Sequence, residues 1–543
     1  MHHGIAFAAL AAPASAFAGG VFAPFTDETA ARGISYTTIF SGSLTWGFGV
    51  CFADLNNDGA PDLVTVGGAG GSVGLWENDG TGHFISRAAT SGIFSSTAYS
   101  NVTAADIDGD GDLDLIFGLW EINNRVFRND GDFVFTNISV GSGLNQPGRS
   151  SSIAWGDVNG DGAIDAYSGI WEIAGTRNNA LNLNNGFGVF QDVAPALGVD
   201  YPFAMTYAVA LFDYNRDGWP DLFVGNDRGP ANGCAYPNRF WRNDGGVFTD
   251  ITAIAGAGQC MDSMSATVGD FDRNGWPDLY VTNTAMSGGN VLLLNQGDGT
   301  FVESAAVTGT RSDRWGWGAQ FLDFDNDGFE DLFVTNEGFE DQLYRHGGSW
   351  PAVDIAPEVG LNDPGPSFTV AYADVDGDGD LDLVVSKQFG DVRLYINNEG
   401  QTRNWLRIIP LGGAGLPMTG SQAEVTAGGV TRYAQLVHNS GYKSQNEHVL
   451  HFGLGDLAVA EEVRVTWPGL GTKVYTDVAA NRVLRLSFCL ADMNNDGVLD
   501  LLDIQLFVGG FVAGDPLADL NGDGLFDLAD LSLFVGSFTA GCP

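Results

Sequence analysis

Seven short segments hold the side chains of this 543-residue chain best suited to chemistry. They are Asp54, Asn56, Asp58 and Asp62; Asp106, Asp108, Asp110 and Asp114; Asp157, Asn159, Asp161 and Asp165; Asp213, Asn215, Asp217 and Asp221; Asp270, Asp272, Asn274 and Asp278; Asp323, Asp325, Asp327 and Asp331; and Asp374, Asp376, Asp378 and Asp382. In each, oxygen side chains stand at positions 1, 3, 5 and 9, a Gly at position 6 supplies the turn, and the carbonyl of position 7 is available. Alternate spacing wraps oxygens around one point, which is how a calcium loop gathers six to eight hard ligands at ~2.3–2.6 Å. Magnesium wants a tighter octahedron, and a set with neither His nor Cys suits neither zinc nor copper. The spacing predicts Ca²⁺ as the bound ion.

The elements that must position these loops repeat with them, at intervals of 52, 51, 56, 57, 53 and 51 residues. Each loop follows a run of period two, such as Val50-Cys51-Phe52-Ala53, with bulky residues on one parity and small ones on the other. An apolar strand, an L-x-x-N-x-G strand with its turn, and an F-x-x-x strand come next. Four strands per ~50 residues describe a propeller blade, in which the bulky face of one sheet packs on the small face of its neighbour. The seventh unit lacks its last strand, and Phe25-Thr26-Asp27 near the N-terminus matches Phe248-Thr249-Asp250 of the fourth. The N-terminal strand is therefore expected to close the seventh blade and leave no open edge.

The repeated D-x-[DN]-x-D-G-x-x-D-L with N-x-G-x-F resembles the FG-GAP/VCBS repeats of integrin-type propellers and many secreted bacterial proteins. That resemblance implies a seven-bladed, mainly β propeller over residues 19–402, with calcium as a stabiliser. Residues 403–487 continue as β sequence without the loop; Asn404-Trp405-Leu406, Gly441-Tyr442, Ser444-Gln445, His451 to Gly455 and Trp467-Pro468-Gly469 resemble the ASPIC/UnbV domain. Propeller followed by this domain is the arrangement of the cartilage acidic protein family, which implies a secreted calcium-binding protein with adhesion roles and no established enzyme activity. His438, His448 and His451 lie here, and the reading is hydrogen-bonded or exposed histidines, since His448 and His451 fall on opposite faces of a strand.

The tail, 488–543, carries two further loops, each with a carboxylate at position 12 and then an apolar helical run: Asp492, Asn494, Asp496, Asp500 and Asp503, then Asp519, Asn521, Asp523, Asp527 and Asp530. The pair resembles a dockerin module, which implies an α-helical docking or surface-attachment unit with a cohesin-like or sorting receptor. The expectation is that most of Leu501, Leu502, Leu506, Phe507, Leu528, Leu531, Leu533 and Phe534 are core.

Residues 4–18 form an apolar run ending in small residues, so 1–18 read as a signal peptide, and no other stretch approaches the ~18 apolar residues of a membrane span. Export makes disulfides accessible, and the spacing suggests Cys234 with Cys260 and Cys489 with Cys542; Cys51 falls in the small-residue column as a buried thiol. A net charge of −43, from 24 basic and 67 acidic residues, argues against nucleic acid as partner. Thirty-two of those acidic residues stand at ligand positions of the nine loops, and nine Ca²⁺ would reduce −43 to −25. The expected setting is the cell surface or the bacterial extracellular space, with a protein or carbohydrate ligand.

No nucleophile elbow, His-Glu-x-x-His helix or P-loop occurs. The first functional reading is a non-enzymatic binding protein, and the second a calcium-dependent polysaccharide-binding protein or polysaccharide lyase or hydrolase. A ring six residues before each loop includes Phe48, Tyr207, Trp317 and Phe368 and, with Trp46 and Trp315, offers a stacking surface at a channel mouth. The competing reading of that ring is packing between blades.

Overall fold

The computed structural model describes residues 24–39, 47–94, 99–119, 123–144, 150–171, 177–228, 233–284, 288–413, 415–438, 441–494, 498–514, 518, 520 and 525–541. The expected signal peptide, Trp46, Asp496, Asp519, Asn521, Asp523 and Cys542 lie outside them.

Each repeat folds as an antiparallel four-stranded meander. In the second repeat Tyr99–Ala105, Asp114–Leu119, Arg125–Asn129 and Phe135–Asn137 pair in that order. Among the described residues seven such sheets occur, and the first strand of each lies beside the first strands of its two neighbours, the seventh returning to the first. The result is a mainly β, propeller-like ring. Phe25–Asp27 pairs with Arg393–Asn397 in the last sheet, Phe25 opposite Asn397, so the N-terminal strand takes the place the sequence left vacant.

Alternation fixes how the sheets stack. Val50 and Phe52 face Ala371 and Ala373 of the seventh sheet, whereas Cys51 and Ala53 face Val102, Leu115 and Phe117 of the second. Bulky residues thus enter the space that small ones leave, and truncating Phe52 to Ala should cost roughly 3–5 kcal/mol. Cys51 is a buried free thiol, and Cys234 and Cys260 are disulfide-bonded. Cys489 is disulfide-bonded too, its expected partner Cys542 lying outside the described residues.

Residues 404–487 form two further sheets. One holds Leu450–Gly455, Asn404–Leu411 and Arg482–Ser487; the other holds Val430–Gln435, Gln422–Ala427, Val459–Trp467 and Gly471–Ala479. Leu406, Val425, Phe452, Val463 and Trp467 make their shared core. This domain covers part of the ring face that carries the Asp loops, and it sends a segment into the centre. Ser444–Gln445 pairs parallel with Val50–Cys51, and the Gln445 side chain accepts from the Ala104 amide at 2.9 Å and donates to its carbonyl at 3.2 Å. Asn446 donates to Gln320 and accepts from the Tyr372 amide. A Cβ on Gly49 would come within 2.7 Å of the Lys443 carbonyl, so a side chain there would collide with this inserted segment.

The insertion corrects the expectation of an aromatic channel mouth. Phe48, Tyr207, Trp317 and Phe368 are buried. The Tyr442 ring lies 5.2 Å from Trp317 and 6.3 Å from Tyr207, centroid to centroid, and closes the ring from inside. Trp315 is half-buried. Tyr207, Trp317 and Phe368 pack around Tyr442 of the C-terminal domain, and Phe48 packs in the core between the first two sheets.

In the tail, Leu501–Ala513 and Leu528–Ala540 are helices that meet through Phe507 and Phe534, stacked at 4.1 Å. The expectation of a leucine core fails. Leu501, Leu502, Leu506, Leu528, Leu531 and Leu533 are all exposed, from 38 to 74%, because the helix phase that buries the phenylalanines turns the leucines outward.

Candidate metal centres

Every Asp loop of the ring closes in the same way. Position 6 is Gly59, Gly111, Gly162, Gly218, Gly275, Gly328 or Gly379, with φ between 87° and 93°, which only glycine adopts without strain. The position 1 carboxylate then accepts from the loop's own amides. In the first loop Asp54 Oδ1 takes the Asp58 N–H at 3.1 Å and Oδ2 the Gly59 N–H at 2.9 Å.

Position 9 opens the second strand, and both of its oxygens are held. Asp62 accepts from Leu55 at 2.9 Å and from Asn78 at 2.8 Å, and the pattern recurs at Asp114, Asp165, Asp221, Asp278, Asp331 and Asp382. One donor is the loop's position 2 amide; the other belongs to the third strand. These carboxylates therefore fasten loop to sheet as well as offering lone pairs to an ion.

The third-strand residue, the Asn of L-x-x-N-x-G, has a role that residue-by-residue reading missed. Asn129 Nδ2 donates to Leu55 O of the preceding sheet at 2.9 Å, Asn184 to Ile107 O, Asn243 to Val158 O, Asn295 to Tyr214 O, Asn397 to Phe324 O and Asn78 to Val375 O. His346 stands in this place in the sixth sheet. The recurrence of Asn in the motif was the available signal. Position 4 was missed too: Asn57, Arg216, Arg273 and Asn326 take left-handed φ of 55–58°, where non-glycine residues are uncommon.

In four loops the oxygens of positions 1, 3 and 9 converge within 4.8 Å of one another: Asp106, Asp108 and Asp114; Asp270, Asp272 and Asp278; Asp323, Asp325 and Asp331; Asp374, Asp376 and Asp382. In the other three, position 3 is Asn, and Asn56, Asn159 and Asn215 donate to Asp58, Asp161 and Asp217. Burial pushes the position 9 carboxyls up, to about 8 at Asp62 and Asp114 and about 7 at Asp165, against the opposing effect of their two amide donors. Asp221, Asp278, Asp331 and Asp382 are pushed well above the usual carboxylate range, by burial first and by neighbouring carboxylates as well. Asp108 Oδ1 and Asp376 Oδ1 are buried without a hydrogen-bond partner. All-oxygen donors, orphaned carboxylate atoms and mutual repulsion together fit a hard divalent cation.

The C-terminal domain shares some of these residues. Arg407 Nη1 lies 2.8 Å from Asp374 Oδ2 in a buried ion pair and also binds Glu447. Gln422 donates to Asp213 Oδ2 at 2.8 Å, Arg216 pairs with Glu424, and His451 Nε2 lies 2.6 Å from Asn326 Oδ1. Around the sixth loop, Arg345 and Arg403 both contact Asp325. The other two domain histidines, His438 and His448, are buried, with Thr419 bonded to His438 Nδ1 and His448 Nε2 to the His438 carbonyl.

The tail loops use position 9 differently. Asp500 and Asp527 cap the helices, accepting from Leu502 and Ala529, and position 12 takes over the loop amides: Asp503 accepts from Met493 at 2.9 Å and Asp530 from Leu520 at 2.8 Å. Asp503 and Asp530 are fully buried, and Asp492 is buried beside Asn494.

Comparison with known proteins agrees with this layout. Residues 54–117, 213–281, 275–334 and 323–385 match the FG-GAP-like repeat, and 414–488 match ASPIC and UnbV. The third loop lies outside the matched stretches yet forms the same hydrogen bonds. Cartilage acidic protein 1 of Mus musculus is 26% identical over 81% of this chain and 74% of its own length, and that of Homo sapiens is 26% identical over 81% and 72%. Integrin alpha-7 of Mus musculus is 28% identical over 28% of this chain and 14% of its own. Among solved structures, the BP39L lectin from Burkholderia pseudomallei aligns at 13% identity with a TM-score of 0.42, covering 65% of this chain and 97% of that one. Strand pairing, not that alignment, carries the fold assignment. With FG-GAP-like repeats, an ASPIC and UnbV domain and similarity along most of its length, the chain is a homologue of cartilage acidic protein 1.

Proposed function

We propose that this chain is a secreted or cell-surface calcium-binding interaction protein without enzymatic activity. In this reading a seven-bladed propeller is stiffened by one Ca²⁺ per loop, and a dockerin-like tail attaches it to a surface or receptor. The observation that carries the reading is the position 9 carboxylate, buried in all seven loops and raised well above its ordinary pKa in the metal-free protein. A bound Ca²⁺ supplies the positive charge that lets such groups stay ionised. The relatives, cartilage acidic protein 1 and integrin alpha-7, support an extracellular setting, as does the Cys234–Cys260 disulfide. No helix among the described residues is long and apolar enough to cross a membrane.

The ring of Phe48, Tyr207, Trp317 and Phe368 would have served either functional reading as a ligand surface; Tyr207, Trp317 and Phe368 are buried around Tyr442, and Phe48 in the core between the first two sheets, so it favours neither. The test is calorimetric unfolding of the full chain in Ca²⁺ and in EGTA. Ca²⁺ should raise the propeller transition by many degrees, and an unchanged transition would overturn the proposal.

A further inference from the structure

The C-terminal domain is bonded to the fourth, sixth and seventh loops, and between it and the second and third loops lies a cavity of about 550 Å³. That volume is the size of a small-ligand site. The cavity exists because position 7 of the third loop is Ala163. The fourth, fifth and sixth loops carry Trp219, Trp276 and Phe329 there, and those rings lie against Gly245, Gly297 and Gly348 of the outer turn of their own sheets. Over the equivalent Gly186 nothing comes nearer than the Ala163 Cβ, 4.0 Å from where a side chain would begin.

The wall is one-sided in charge and in hydrogen bonding. Asp106, Asp157 and Asp161 line it, and among the described residues neither Lys nor Arg does. The second and third loops hold eight carboxylates between Asp106 and Asp165, so even two bound Ca²⁺ leave four negative charges. His448, 92% buried, also lines the cavity. Its Nε2 faces the carbonyl of His438 and must carry the proton, which makes Nδ1 an acceptor, and Nδ1 has no hydrogen-bond partner among the described residues. Ile164, Leu416 and Met418 give the wall an apolar side.

We propose that this cavity binds an alkylammonium group, the chemistry of a lysine side chain. Its methylenes lie on Ile164, Leu416 and Met418, and its ammonium faces Asp157, Asp161 and His448 Nδ1. An acidic ligand meets repulsion here, and a neutral apolar one leaves the acceptors unanswered.

The test is isothermal titration of the full, Ca²⁺-loaded chain with N-acetyl-lysine methylamide, its norleucine analogue and spermidine. The lysine compound should bind at least about tenfold more tightly than norleucine. Ala163→Trp, which installs the residue the fourth and fifth loops already tolerate, should abolish binding. Met418→Trp fills the cavity from the other wall, outside the Asp loops, and should do the same while leaving Ca²⁺-dependent melting unchanged. Tighter binding of a lysine peptide than of spermidine assigns the group to a protein partner, and the reverse assigns it to a free polyamine. Equal affinity for lysine and norleucine compounds, or undiminished binding by both tryptophan variants, overturns the inference.

Discussion

The ring loops and the tail loops share one ligand pattern and differ in what the ninth residue does. In the ring, Asp62 and its six counterparts begin a β-strand and accept two backbone amides, so the loop is locked to a sheet that has its own buried core. In the tail, Asp500 and Asp527 cap helices whose small core is Phe507 and Phe534 with Cys489, Ala491 and Ala518, flanked by half-buried Phe511, Phe526 and Phe538, while Asp503 and Asp530 hold the loop amides. Identical ligand spacing can therefore serve as reinforcement of a fold or as most of the fold itself. The element that starts at position 9, strand or helix, decides between the two.

The largest effect should come from removing metal. In EGTA the tail should lose its helices outright, because two short helices around so small an aromatic core cannot offset their ordering entropy. The ring should stay folded and melt lower. Two separated calorimetric transitions would show this, and a single joint one would erase the contrast.

Next in size is position 9 itself. Asp165→Ala leaves two buried amides without acceptors and should cost about 3 kcal/mol or more in denaturant unfolding of the ring even in EGTA, whereas Asp527→Asn keeps a good helix cap and should act only by weakening the tail's hold on Ca²⁺. Comparable costs would mean the two kinds of loop are held alike.

Arg407→Met should cost about 3 kcal/mol, since Asp374 and Glu447 would remain buried without their cation. Limited proteolysis should then cut the C-terminal domain first. A loss spread evenly over the chain would place the weakness elsewhere.

Smaller, but diagnostic in sign, is pH. In the metal-free ring the position 9 carboxyls hold protons more tightly folded than unfolded, with folded values of about 8 at Asp62 and Asp114 and about 7 at Asp165. Stability in EGTA should therefore fall as pH rises from about 4 to 8. With Ca²⁺ bound the same groups are ionised, and stability should instead be lost as pH falls through the carboxylate range. The same slope with and without Ca²⁺ would count against metal at these positions.

Much of this architecture was legible in the residues because it is periodic. The seven loops, the alternation of Val50 and Phe52 with Cys51 and Ala53, and the return of Phe25–Asp27 to the last sheet all arise from repeat and strand period. The Asn cross-bonds were visible as a recurring letter, but their meaning needs two sheets side by side, since Asn129 answers a carbonyl 74 positions away. The insertion of Tyr442 and Gln445 into the ring had no signal, because contacts between domains repeat with no period. The exposed tail leucines were misread because a 13-residue helix with Leu, Ile, Phe and Val on most sides has no clear apolar stripe, and phase was settled only by the Phe507–Phe534 pair.

Calcium in these loops is the central claim, and metal content measures it most directly. Full-length protein equilibrated with Ca²⁺, freed of unbound ion and analysed by mass spectrometry under native conditions should carry up to nine Ca²⁺ per chain, one for each loop of ring and tail. Those ions should leave in two groups on EGTA titration, in step with the two melting transitions. A chain that retains no Ca²⁺, and whose melting ignores EGTA, would contradict the central claim.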